Sequence, residues 1–123
     1  MVRLNITKFQ LGLKGQESAI VFLQAKGYKI LETNYRTRAG EIDIIATFGN
    51  YIIFIEVKLR TGFSYGHPCE AVNTNKQGKI IKTALHYIAD NCLNDKDFRF
   101  DVIELLQKDG QLYANHIIDA FGE

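Results

Sequence analysis

The sequence predicts an α/β domain: a mixed five-stranded sheet flanked by helices, in the order α-β-β-β-α-β-β, formed by residues 1–123 as one unit. Three observations predict it. Gly40 to Arg60 (GEIDIIATFGNYIIFIEVKLR) reads as a β-hairpin, two runs rich in β-branched residues around the turn pair Gly49-Asn50. Two other segments, Lys8 to Lys26 and Thr74 to Asn91, repeat apolar residues at three- and four-residue steps, the period of an amphipathic helix. The second helix falls between the third and fourth strands, where a right-handed crossover makes those strands parallel. Helices covering the sheet then account for the scarcity of polar residues in the hairpin.

Residues 1–7 read as a loose lead-in. In the first helix Phe9, Leu13, Gln16, Ile20 and Leu23 form the stripe, with Ala19 and Phe22 beside them and Gly27 as the stop. Gly12 and Gly15 weaken its front and would allow close approach to another backbone. Gly27 to Asn34 (GYKILETN) reads as the first strand, and Tyr35 to Ala39 as a short connector carrying Arg36 and Arg38. The hairpin follows. Thr61 to Asn73 (TGFSYGHPCEAVN) is the longest loop and holds the one proline; a functional loop and a plain connector are both open. On the second helix Ile80, Ile81, Ala84, Leu85 and Ile88 make the apolar stripe. Lys76, Lys79, Lys82 and His86 follow on the other side, as a solvated face or a nucleic-acid contact. Asn94 to Asp97 form a polar turn, and Phe98 to Leu106 and Gln111 to Ile118 are strands joined around Asp109-Gly110.

Composition narrows the class. An apolar content of 46% with 24% charged residues suits a soluble globular domain with a sizeable core. No apolar run reaches membrane-spanning length and no signal-peptide pattern is present, so the expected location is cytoplasmic, with no membrane partner. Cys69 and Cys92 provide neither metal spacing nor a disulfide framework, which fits reduced thiols. Net charge is +1, yet residues 1–82 carry +6 and residues 83–123 carry −5. The basic part contains the hairpin and would suit a polyanion.

The hairpin holds the candidate chemistry. With Gly49-Asn50 as a two-residue loop, Thr47 faces Ile52, Ile45 faces Phe54, Asp43 faces Glu56 and Glu41 faces Lys58. Ile42, Ile44, Ala46, Ile53, Ile55 and Val57 make the other, wholly apolar face. Asp43 opposite Glu56 is a destabilising like-charge pair in strands that otherwise read as buried. A divalent cation between them would remove the conflict, because Mg²⁺ is held by one or two carboxylates plus water. Lys58 projects beside the same point. The alternative is structural: an ordinary Glu41–Lys58 cross-strand pair and a solvated hairpin end. An odd loop length would also break the pairing. His67, His86 and His116 show no zinc spacing and no paired nucleophile, and Asp101 after Arg99 reads as a structural ion pair.

An acid on one hairpin strand followed by Glu-x-Lys on the next, in this element order, resembles the core of the PD-(D/E)xK nuclease superfamily, the restriction-endonuclease-like fold. More closely, the chain resembles the YraN-like family of bacterial proteins, usually described as endonucleases. The resemblance rests on Gly15, Ala19, Leu23, Gly27-Tyr28 and Asn34-Tyr35-Arg36, then on Gly40 to Ile45 and Phe54 to Lys58 with Arg60. Gly66, Pro68, Glu70-Ala71-Val72, Lys76, Arg99 to Val102 and Ala120-Phe121 continue it. Archaeal Holliday-junction resolvases are more distantly similar. The resemblance implies that Asp43 and Glu56 ligate Mg²⁺ or Mn²⁺ with the Val57 carbonyl nearby, and that Lys58 orients water or steadies phosphorane charge. It implies phosphate contacts by Arg36, Arg38, Arg60 and Lys76, with Lys79 on the same helix side; Glu41 would pair with Lys58 or hold outer-sphere water, and Gln77 near the same helix start is a further candidate for the site lining. One position departs: the family carries Glu directly after the first helix's glycine, where this chain has Gln16 and then Glu17. The expected function is Mg²⁺-dependent hydrolysis of phosphodiester bonds in DNA, branched or damaged DNA among the candidates. The alternative is a weakly active or non-catalytic nucleic-acid-binding module on the same fold. RNA is not excluded, and a homodimer is compatible with either reading.

Overall fold

In the computed structural model the described residues are 2–4, 15–61 and 72–122. They form eight elements: β1 (Val2–Leu4), α1 (Gly15–Ala25), β2 (Lys29–Thr37), β3 (Gly40–Phe48), β4 (Tyr51–Thr61), α2 (Thr74–Asp90), β5 (Asp97–Lys108) and β6 (Gln111–Phe121). The six strands make one mixed sheet in the order β1-β6-β5-β4-β3-β2. β4 and β5 run parallel, as the crossover requires, and the remaining neighbours are antiparallel. This is the expected α/β class with one strand more than expected. The lead-in contains β1, whose Val2, Arg3 and Leu4 pair with Ala114, Tyr113 and Leu112. Three residues are too few to show a period, and it is the edge offered by β6 that orders them.

The helices cover opposite faces. Ala19, Phe22 and Leu23 of α1 pack with Ile44, Ala46, Ile53, Ile55, Ile103 and Leu105. Ile80, Ala84, Tyr87 and Ile88 of α2 pack with Ile45, Ile52, Phe54 and Val102. The apolar stripe of α2 is rotated from the expected one: Thr83 and Tyr87 are buried, whereas Leu85 is 58% exposed. The expected start of the first helix before Gly15, and most of the long loop with His67, Pro68 and Cys69, lie outside the described residues.

β2 also differs from expectation. It runs on to Thr37, so Tyr35 and Arg36 are strand residues and only Arg38 and Ala39 form the turn. Its pairing with β3 shifts register between Ile30 and Glu32, a bulge at Leu31, and Asn34 takes a left-handed φ of 53°.

The hairpin register follows the turn. Gly49 has φ 61°, and Phe48 pairs with Tyr51, Thr47 with Ile52, Ile45 with Phe54. A positive φ at the first turn position suits a primed two-residue turn. The ladder ends at Ile44–Ile55. Past that point alternation fails, and Ile42, expected beside Ile44, packs with Ile45 and Phe54 under α2. The strands part at Asp43, whose Oδ2 accepts the Val57 amide at 2.8 Å. A side chain therefore stands where a strand carbonyl would otherwise serve.

Candidate functional site

The fork in the hairpin opens a cleft of about 260 Å³ beneath the first turns of α2, lined by Gly40, Glu41, Asp43, Glu56, Val57, Lys76, Lys79 and Ile80. Gly40 sets how closely the helix approaches: a methyl group there would stand 3.3 Å from Lys79 Cβ and from Thr83 Oγ1. Asn73 caps α2 by accepting the Lys76 amide at 2.9 Å, and Gln77 Nε2 donates to the Val72 carbonyl at 2.8 Å. Gln77 thus fixes the helix start and is not one of the cleft-lining residues.

Asp43 and Glu56 hydrogen-bond to each other although their backbones have left the ladder. Glu56 is 5% exposed. Burial, then the hydrogen bond and charge of Glu56, push the Asp43 carboxyl up to about 7; the Val57 amide and Lys76 act in the other direction. Lys76 forms an ion pair with Glu56 Oε2, and Lys58 Nζ lies 3.9 Å from the same oxygen. The adjoining Lys76 amine, then burial, hold Lys58 below the usual lysine value. Burial works against the charge on Lys76, but its bonds to Glu56 and Lys58 leave it above that value.

The remaining expected site residues fall differently. Glu41 pairs with Arg36 across β2 and β3 at 3.4 Å, not with Lys58, because the fork carries Lys58 away. Arg36 is solvent-exposed at the cleft's flank, and Arg38 is exposed in the adjacent turn. Arg60 Nε lies 2.6 Å from Glu104 Oε2, and both side chains are largely buried, so its role in the structure is an internal ion pair. Gln16 and Glu17 lie on α1, across the sheet from the cleft, half-buried and exposed respectively. The expected stripe through Gln16, Ile20 and Leu23 is rotated in the structure: the buried residues of α1 are Ser18, Ala19, Phe22 and Leu23.

Glu104 and the Lys76–Glu56 pair were not foreseen. The signal for Glu104 was a lone acid within the apolar run Val102-Ile103-Glu104-Leu105-Leu106. Lys76 had no local signal, since its partner is brought to it only by the crossover. Among the described residues no group of three or more His, Cys, Asp or Glu converges as a metal cage, and no helix is long and apolar enough to cross a membrane.

On this geometry the comparisons with known proteins can be read. The uncharacterised protein family UPF0102 matches residues 15–105, which include both hairpin strands, α2 and most of β5. A UPF0102 protein of Alkaliphilus metalliredigens is 53% identical over 96 residues, 78% of this chain and 84% of the relative. One from Clostridioides difficile is 49% identical over 107 residues, 87% and 92% of the two chains. One from Caldanaerobacter subterraneus is 44% identical over 120 residues, 95% and 98%. The chain belongs to the UPF0102 family, the YraN-like proteins that its motifs resemble.

Proposed function

We propose that the cleft is the site of a metal-dependent endonuclease of the PD-(D/E)xK kind, hydrolysing phosphodiester bonds in DNA. One observation carries this reading: two carboxyls meet at the cleft, Glu56 buried in the sheet and Asp43 half-buried beside it, where burial and then the neighbouring Glu56 push Asp43 up to about 7. An acid perturbed by burial and a specific charged partner, at a cleft, is a candidate functional group. The donor set fits Mg²⁺ or Mn²⁺, with Asp43 and Glu56 as ligands, the Val57 carbonyl at hand and water completing the shell. When bound, the ion would acidify a water and offset charge on the scissile phosphate.

The chain's own residues supply the remainder. Asp43 is fixed by the Val57 amide and Glu56 by burial, so neither needs to reorganise. Lys58 stands beside Glu56, where an ammonium can orient a water or a non-bridging phosphate oxygen. Lys79 at the cleft mouth, with Arg36 and Arg38 at its flank, would track the phosphate backbone. A second reading, a binding module with little or no cleavage, is favoured by one observation: Lys76 already neutralises Glu56, and Gln16 brings no further acid. Junction, flap, duplex and single-stranded DNAs, with a structured RNA alongside, incubated with Mg²⁺ or Mn²⁺ separate the two. Cleavage that Asp43→Asn and Lys58→Ala abolish supports the nuclease; metal-independent binding without cleavage supports the module.

A further inference from the structure

Lys76 holds an unusual position. It sits in the first turn of α2, where the helix dipole disfavours a cation and favours an anion, and that turn contains no acidic residue. Its ammonium nevertheless reaches down to Glu56 Oε2, the same oxygen that Lys58 approaches to 3.9 Å. The two partners differ in freedom. Glu56 is fixed in the sheet at 5% exposure, whereas the Lys76 side chain is 42% exposed and Lys58 31%. A lysine is a compact charge on a flexible four-carbon stem, so Lys76 can swing toward solvent while its backbone stays capped by Asn73. A divalent ion entering beside two ammonium groups would meet strong repulsion, and Lys76, the more exposed of the two, has the readier path to solvent.

We infer that Lys76 is a placeholder cation, bound to Glu56 until a divalent ion displaces it and then free at the cleft mouth to hold a DNA phosphate. The inference rests on the reading of Asp43 and Glu56 as the metal pair. It makes metal and DNA binding cooperative. The ion releases the lysine that DNA needs, and DNA withdraws the lysine that opposes the ion. By linkage the two affinities rise by the same factor.

Calorimetric Mn²⁺ titrations, with and without a cleavage-resistant phosphorothioate DNA duplex, test this on the full chain. Wild type is expected to bind Mn²⁺ about fivefold tighter when DNA is present. Lys76→Met is expected to bind Mn²⁺ about two- to fivefold tighter than wild type in the absence of DNA, since the ion no longer has to displace a partly exposed ion pair, and to show no coupling. Lys76→Arg keeps the charge and should stay near wild type, and Lys29→Met, at the far end of β2 from the cleft, should leave both quantities unchanged. If Lys76→Met binds Mn²⁺ no tighter than a Mn²⁺-binding wild type, or retains the full coupling, the placeholder role is overturned while the metal reading stands. If neither wild type nor Lys76→Met binds Mn²⁺, both fall together.

Discussion

Two acids stand on opposite faces of one sheet, Asp101 buried and Asp43 half-buried, and the fold treats them in opposite ways. On the α1 face Asp101 is fully buried and fully answered. Arg99 donates to both of its oxygens at 2.9 Å, the His116 ring lies 2.7 Å away, and the Asp119 amide donates at 2.9 Å. Burial opposes its charge, yet His116, Arg99 and that amide together hold Asp101 below the usual carboxylate range. The network continues through Arg99 to the Tyr28 hydroxyl and through His116 to Lys26, each at 2.8 Å. On the α2 face Asp43 receives one amide and is set against a second carboxyl. The chain can evidently neutralise a buried acid from its own side chains. Where two carboxyls meet beneath the cleft, its own answer is two partly exposed lysines, Lys76 paired with Glu56 and Lys58 nearby, and the proposed divalent ion would take over that charge.

The largest expected effect lies on the answered side. Asp101→Ala should cost about 3–5 kcal/mol, because it strands Arg99 and His116 in the interior. Urea unfolding measures it, and a loss below about 1 kcal/mol would erase the contrast between the two faces. Next, Arg60→Ala should cost about 2 kcal/mol by leaving the buried Glu104 carboxylate without its partner. Its effect on DNA binding, measured on the folded variant, should be small; a strong affinity loss at unchanged stability would return Arg60 to the phosphate-contacting set.

On the unanswered side the sign reverses. Asp43 is protonated more readily in the folded chain than in the unfolded one, so its contribution to stability falls as pH rises from the ordinary carboxylate range to about 7 and is flat above that. Asp101 acts oppositely, its contribution being present above its unfolded value and lost as pH falls below it. Asp43→Asn keeps an acceptor for the Val57 amide and removes the repulsion. It should therefore raise stability by about 1 kcal/mol at pH 8 and by much less at pH 5. Melts with millimolar Mn²⁺ should stabilise the wild type and not this variant. A wild type indifferent to Mn²⁺, with Asp43→Asn destabilised at pH 8, would make the pair structural after all. The smallest expected effect is that of Arg36→Ala: under about 0.5 kcal/mol in stability, since its pairing with Glu41 is at the surface. Its DNA affinity should nevertheless show a salt slope reduced by about one.

These contrasts were legible in the sequence to unequal degrees. The register from Phe48–Tyr51 to Ile45–Phe54 followed from Gly49-Asn50 and alternation, both local properties. The parallel β4–β5 pair followed from a helix between two strands. The meeting of Asp43 and Glu56 was foreseen from a regular ladder, but the actual cause is a side chain bonding to the Val57 backbone, which no periodicity encodes. For the same reason Ile42 was assigned to the wrong face. Gln16 was read from a stripe drawn through Phe9 and Leu13, whereas α1 buries Ser18 and Ala19. The Lys76–Glu56 and Arg60–Glu104 pairs join residues distant in sequence, so charge counts indicated their neighbourhood without their partners.

The irregular course of β2 bears on self-association. An outer strand exposes a row of unpaired amides and carbonyls, a template for another chain. In β2 the bulge at Leu31 and the left-handed turn at Asn34 interrupt that row, and Lys29, Glu32 and Arg36 place charge along it. The opposite edge, β1, spans only three residues. Among the described residues neither border offers a long, flat strand for sheet-to-sheet growth. Two copies of this chain would therefore join through side-chain surfaces rather than through a continuous intermolecular sheet, and the border beside the cleft resists fibrillar stacking.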